Sequence, residues 1–246
     1  MKDTTRTAKF VAAMLLALAL NACGGGGGLS GTTAPAATFD LQTGISGLVA
    51  NGQSSNVTLA GTVNNSGTSE PFTGTGTLTL APRVSATFNG EGALSQTQIV
   101  SGSVTAAGQT DTYTASVLDF YATGNDAFLG ETSSGEYDVA QTAFTYPASV
   151  VAGSSGVLGT TNDYTDSTMG TPTGTTQVSY AVTAVSNTAS DATSTVMVAI
   201  TSQVNDTQNS PVETDVTNYS LTDGGVLTLV SASVQNSSES LTVTVQ

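Results

Sequence analysis

Phe72-Thr-Gly-Thr-Gly-Thr-Leu-Thr-Leu80 is the stretch that decides the fold, because every odd position from 73 to 79 is threonine while the even ones are Phe, Gly, Gly, Leu and Leu. A period of two sets alternate side chains on opposite faces of an extended chain, one wet and one packed. Val57, Leu59, Gly61 and Val63 repeat the pattern, as do Val84, Ala86 and Phe88, then Val178, Tyr180, Val182 and Ala184, then Val196, Val198 and Ile200. Half-buried antiparallel strands alternate in this way, whereas strands of parallel sheets read as continuous apolar runs. From Val226 to Val234 the phase slips, with Leu227 and Leu229 on one face and Val230, Ala232 and Val234 on the other. That slip predicts a β-bulge near Leu229.

Turn residues fall between these runs: Asn51-Gly52, Asn89-Gly90, Gly124-Asn125 and Asp223-Gly224-Gly225 tolerate positive φ. Pro71, Pro82, Pro147, Pro172 and Pro211 stand at strand ends or in loops, where a missing amide donor costs nothing. No segment beyond the N-terminal apolar run reads as a helix of ten or more residues. The expected fold is therefore all-β, antiparallel meander sheets packed as a sandwich or curled sheet, with a Gly/Ser/Thr-rich break over 153–176. Five strands are expected after that break, over about 177–187, 193–204, 213–221, 226–234 and 239–245. The β-rich portion divides into halves at 39–146 and 147–246, and no repeat relates them.

The N-terminus carries a different signal. Lys2, Arg6 and Lys9 precede eleven apolar residues, Phe10 to Leu20, which run into Leu20-Asn21-Ala22-Cys23. Eleven residues at about 1.5 Å each span only roughly half of a hydrocarbon core. The segment has the parts of an export signal, and it resembles the lipobox of bacterial lipoproteins. That resemblance implies cleavage after residue 22 by signal peptidase II and a lipid-modified Cys23. It also implies attachment to a membrane through acyl chains, each buried methylene contributing about 0.8 kcal/mol. Gly24 in place of Asp after the cysteine favours the outer membrane in such lipoproteins. Gly24 to Gly28 open a tether that runs to residue 38, with a random-coil reach of roughly 20 Å. The part from Tyr146 onward, with Tyr164-Thr-Asp-Ser and a late Asp223-Gly-Gly turn, is loosely similar to uncharacterised β-rich lipoproteins of Gram-negative bacteria, a likeness that implies no activity.

Composition excludes whole classes of function. The chain has no histidine, one cysteine, four basic residues and eighteen acids. Loss of residues 1–22 removes Lys2, Arg6, Lys9 and Asp3, leaving Arg83 as one positive charge against seventeen negative ones. Such a surface repels nucleic acid and anionic head groups, so membrane attachment rests on the acyl chains alone. Ser-His-Asp, Cys-His and Ser-Lys nucleophile systems lack their members, and a zinc site lacks nitrogen and sulfur ligands. Carboxylate chemistry survives. Asp163 and Asp166, and Asp206 with Glu213 and Asp215, are candidate ligands for a hard cation such as calcium, although neither stretch matches a known calcium loop. Without them no cofactor is expected. Glu131 and Glu136 flank Thr-Ser-Ser-Gly and are the candidate acid pair for glycan hydrolysis. The seven tyrosines offer stacking surface, though core packing accounts for such residues more often. The resulting expectation is a lipid-anchored, non-catalytic binding or structural module with an open choice of protein or glycan partner. A glycan-active enzyme and a surface adhesin are the alternatives.

Overall fold

A computed structural model describes residues 37–65, 67–185 and 195–246; the expected export signal, Cys23 and nearly all of the expected tether lie outside them. The fold is all-β. Thirteen antiparallel strands form one continuous sheet. They are β1 (Gln53–Asn65), β2 (Thr68–Leu80), β3 (Val84–Phe88), β4 (Glu91–Ala106), β5 (Gln109–Ala122), β6 (Phe128–Ser133) and β7 (Glu136–Phe144). The chain continues with β8 (Ser155–Tyr164), β9 (Gly174–Ala184), β10 (Thr195–Asp206), β11 (Pro211–Thr222), β12 (Leu227–Asn236) and β13 (Ser240–Val245).

Each strand pairs with the next, except that β2 pairs past β3 with β4, and the first strand returns to the last through a ladder from Val57↔Val245 to Thr62↔Ser240. Twelve strands therefore close into a barrel. The short β3 adds to the exposed start of β4 beyond the point where β2 ends. Of the two arrangements expected, the sheet curls, and it does so until no sandwich interface is needed. Strands from both sides of residue 147 belong to this one sheet, with β7 and β8 paired directly.

The threonines of Phe72–Leu80 face outward: Thr73, Thr75 and Thr77 are exposed, while Leu78 and Leu80 are buried. Hydroxyls meet across the outer surface, Thr77 with Ser101 at 3.1 Å and Thr62 with Ser240 at 3.0 Å. This polarity, hydroxyl outside and aliphatic inside, is the reverse of a barrel wall that faces lipid. Gly74, Gly76 and Gly102 bring β2 and β4 so close that a Cβ on any of them would lie 2.2–2.4 Å from a carbonyl oxygen of the neighbouring strand. A side chain there would run into the neighbouring backbone, which is why these positions are glycine.

A lumen of twelve strands is too wide for strand side chains alone to fill, since about eight strands is the size they fill unaided. One end is closed by a helix that the sequence reading did not anticipate, α1 (Leu41–Asn51). Its sequence, LQTGISGLVAN, contains two glycines and only four large apolar residues, which hid a helical spacing of Leu41, Ile45, Leu48 and Val49. Asp40 caps it, accepting from the Thr43 amide and hydroxyl, both at 2.8 Å. Gly52, at φ 70°, ends it by donating to the Leu48 carbonyl, so Asn51-Gly52 is a helix stop and not a hairpin turn. The four apolar residues are buried in the main core with Val57, Leu78, Leu221 and Leu229. Gln96 of β4 donates to the Leu48 carbonyl on one side, and Gly44 packs on Leu221 and Leu227 on another. The helix thus crosses the barrel end.

Above α1 the lumen is filled by rings. Tyr121, Phe128, Phe144 and Tyr146 follow one another at centroid separations of 6.0, 5.1 and 6.5 Å. Gly159 makes room for Phe144, whose ring lies 2.1 Å from where a Cβ would stand. This explains why 153–176 reads as unpatterned yet contains β8: Gly156 and Gly159 occupy positions where apolar residues would mark a strand, because rings from neighbouring strands cover them. The other C-terminal strands fall where alternation places them. The expected bulge is present, with Asn218 opposite Ser231 and Tyr219 opposite Leu229, leaving Val230 unpaired.

Candidate functional site

Rings and helix fill the lumen only part of the way. Reading the inward positions of β11 from the closed end gives Leu221, Tyr219, Thr217, Asp215 and Glu213, and those of β10 give Val198, Ile200, Ser202, Val204 and Asp206. Strand alternation continues unbroken along both. What changes is chemistry, from aliphatic through hydroxyl to carboxylate, and beyond that change lies a cavity of about 910 Å3 open at the end opposite α1.

Among the described residues eight carboxylic acids line it, with no lysine or arginine. Glu131, Asp138 and Asp163 stand directly opposite one another across β6, β7 and β8 in the ladder pairs Glu131↔Asp138 and Asp138↔Asp163. Like charges placed opposite in a sheet destabilise it. Asp163 is the best supported of the three, accepting from Thr161 Oγ1 at 2.7 Å and Thr176 Oγ1 at 2.8 Å. Asp138 Oδ1 has no partner. Deeper in, Asp215 and Ser202 face each other as a ladder pair, each 2% exposed, and both Asp215 Oδ1 and Ser202 Oγ lack hydrogen-bond partners. A buried polar atom left unpaired costs on the order of 1–3 kcal/mol. Two adjacent ones on a cavity wall are polar groups that a ligand could satisfy.

The sequence candidates fall as follows. Asp163, Asp206, Glu213 and Asp215, the candidate cation ligands, lie in or at the ends of strands and line the cavity. Asp206 also closes the β10–β11 turn by accepting from the Gln208 and Ser210 amides, and Glu213 accepts from Asn236 at 3.1 Å. Asp166 stands apart in the exposed β8–β9 loop, accepting from the Thr168 amide and hydroxyl. Those two bonds hold its carboxyl below the ordinary range. Glu131 and Glu136 both line the cavity, but the cross-strand neighbour of Glu131 is Asp138, while Glu136 pairs with Ser133. Among the described residues no three acids converge closely enough to hold a metal ion. Tyr121, Tyr146 and Tyr219 are core residues and form no outer row. Cys23 lies outside the described residues.

Asp138, Ser202, Thr161 and Thr176 are site residues that reading missed. Parity could have found Asp138, Ser202 and Thr176, which continue the inward register of Phe144, Ile200 and Val178 on their own strands; Thr161 lies past the irregularity between Val157 and Gly159 in β8, which hides it.

Burial with no counter-charge raises these acids. Burial and then Asp163 and Glu136 push Asp138 up to about 9. Glu131 is raised far above the carboxylate range, first by burial and then by Asp138. Asp215 is raised likewise by burial and then by Glu213 and Glu136. Burial also raises Asp163 and Glu213, opposed by the Thr161 and Thr176 hydroxyls for the first and the Asn236 amide for the second. Asp138 therefore keeps its proton at neutral pH, and the others are shifted in the same direction, so that a cation arriving in the cavity exchanges for protons. The basic residue among the described ones, Arg83, lies at the closed end and pairs with Asp126.

Comparison with family models, curated proteins and solved structures gives no match. The site must therefore be read from its own chemistry.

Proposed function

We propose that the chain is a lipid-anchored protein of the bacterial cell envelope, held at the outer membrane by acyl chains on Cys23, whose barrel is a non-catalytic module that binds a small ligand in its mouth. The observation that carries the binding reading is the pair of buried, unpartnered atoms, Asp215 Oδ1 and Ser202 Oγ, on the wall of a cavity of about 910 Å3. That volume lies within the range of small-molecule sites, and their polar groups fix a ligand's orientation. The Leu-Asn-Ala-Cys motif supports the anchor, and the 24–38 tether would stand the barrel off the membrane.

Screening the full-length protein in detergent by thermal shift against small molecules of every charge class tests the binding reading. It expects at least one class to raise the melting temperature in proportion to the logarithm of its concentration, and Asp215→Asn to diminish that rise. A set in which no compound shifts the melt would overturn it.

A glycan-active enzyme is the second reading, favoured by one observation: Glu131 stands opposite Asp138 with its carboxyl raised by burial and by that neighbour, the direction a general acid needs. Against it, Phe128 is the single aromatic on the cavity wall among the described residues, where sugar rings would call for stacking surfaces. Reducing-sugar release that disappears in Glu131→Gln would select the enzyme over the binding module.

A further inference from the structure

Resting on that binding reading, we infer that the ligand is a linear organic polyamine, with one ammonium seated between Asp215 and Ser202 and a second on the Glu131–Asp138–Asp163 row. Three features point to this class.

The first is sign. A cavity whose wall, among the described residues, has eight acids and no basic side chain selects cations. The second is distribution. A hard metal ion draws six to eight oxygens to about 2.3–2.6 Å, whereas these carboxyls are laid out along the wall and no three of them converge. The ladder shows the spread: Ser202↔Asp215 lies four residues in from the Asp206 end of β10, while Asp163 is opposite Gly174, which is itself opposite Asp206. The two acid groups are therefore at different depths, and a ligand that neutralises both carries separated charges.

The third feature is the donor balance. Asp215 Oδ1 and Asp138 Oδ1 can only accept when ionised, and Ser202 Oγ has acceptor capacity left. An ammonium brings three donors and no acceptor, which is the complement of that set. Thr161 and Thr176 already spend their hydroxyl protons on Asp163, so their oxygens are also free to accept. Between the two acid groups Val204 offers a short apolar surface against which methylenes can lie.

Isothermal titration of the full-length protein in detergent, with spermidine, calcium chloride and a neutral polyol of similar length, tests the inference. Spermidine is expected to bind one per chain, with calcium at millimolar concentration neither binding nor displacing it. Asp215→Asn and Ser202→Ala should each weaken spermidine at least tenfold. Asp138→Asn serves as a second acid variant should Asp215→Asn fail to fold, and it should weaken a long polyamine more than a monoamine. Calcium binding in place of spermidine, or spermidine binding unchanged in these variants, would overturn the polyamine assignment. If spermidine fails while another compound shifts the melt in an Asp215-dependent way, the assignment falls and the binding module stands. If nothing binds, both fall.

Discussion

Replacing Asp119 by Asn should stabilise the barrel at neutral and alkaline pH and leave it unchanged in acid. Asp119 faces the lumen from β5, is 3% exposed, and has Gln98 Nε2 and Tyr121 Oη donating to its Oδ2. Burial pushes its carboxyl up to about 7 from an ordinary 3.8, the two hydrogen bonds only partly opposing the shift. Between those values the unfolded chain has released the proton and the folded one has kept it, so stability falls as pH rises from about 4 to about 7 and then levels. A difference of about 3 units corresponds to about 4 kcal/mol at 25 °C. An asparagine with its carbonyl oxygen in the place of Oδ2 accepts the same two bonds and has no charge to bury. The variant should thus gain up to about 4 kcal/mol over wild type above pH 7 and almost nothing at pH 4. Urea denaturation followed by far-ultraviolet circular dichroism at half-unit pH steps measures this, since the mouth acids are common to both proteins. A gain that does not change with pH, or a variant less stable at pH 8, would refute the view that Asp119 is a buried carboxyl without compensating charge.

Two other perturbations probe separate links. Gly159→Val should cost about 1–3 kcal/mol or displace the ring of Phe144, because the added Cβ falls 2.1 Å from it; loss of near-ultraviolet aromatic signal with retained β structure would accompany that displacement. Cys23→Ser should abolish labelling by a fatty-acid analogue and leave uncleaved precursor, and equal labelling of variant and wild type would remove the lipid anchor from the account.

The alternation in Phe72–Leu80 and its counterparts is enough to read antiparallel strands, and all five C-terminal strands begin and end within about three residues of where it places them. Closure was not legible, because period-two patterning is the same in a sandwich, an open curl and a barrel. What distinguishes them is a β1–β13 pairing between residues more than 170 positions apart. The helix was hidden by glycines: Gly44 is small because it packs on Leu221 and Leu227, a tertiary reason that lowers local helical propensity. At the site, Glu213 and Asp215 stand in the expected strand over 213–221, but an acid breaks the apolar alternation, so the sequence offers them as cation ligands and not as inward wall residues. In the structure they continue it. The inward register of Tyr219 and Leu221 simply passes into a part of the lumen that nothing fills, and there the same face carries charge.

Soaking or co-crystallising the full-length protein with spermidine, and solving the complex by X-ray diffraction, tests the central claim most directly. The expected result is ligand density inside the barrel mouth, with one nitrogen within hydrogen-bond distance of both Asp215 Oδ1 and Ser202 Oγ. Density confined to the outer wall, or a mouth in which those two atoms turn away to partners within the protein, would contradict it.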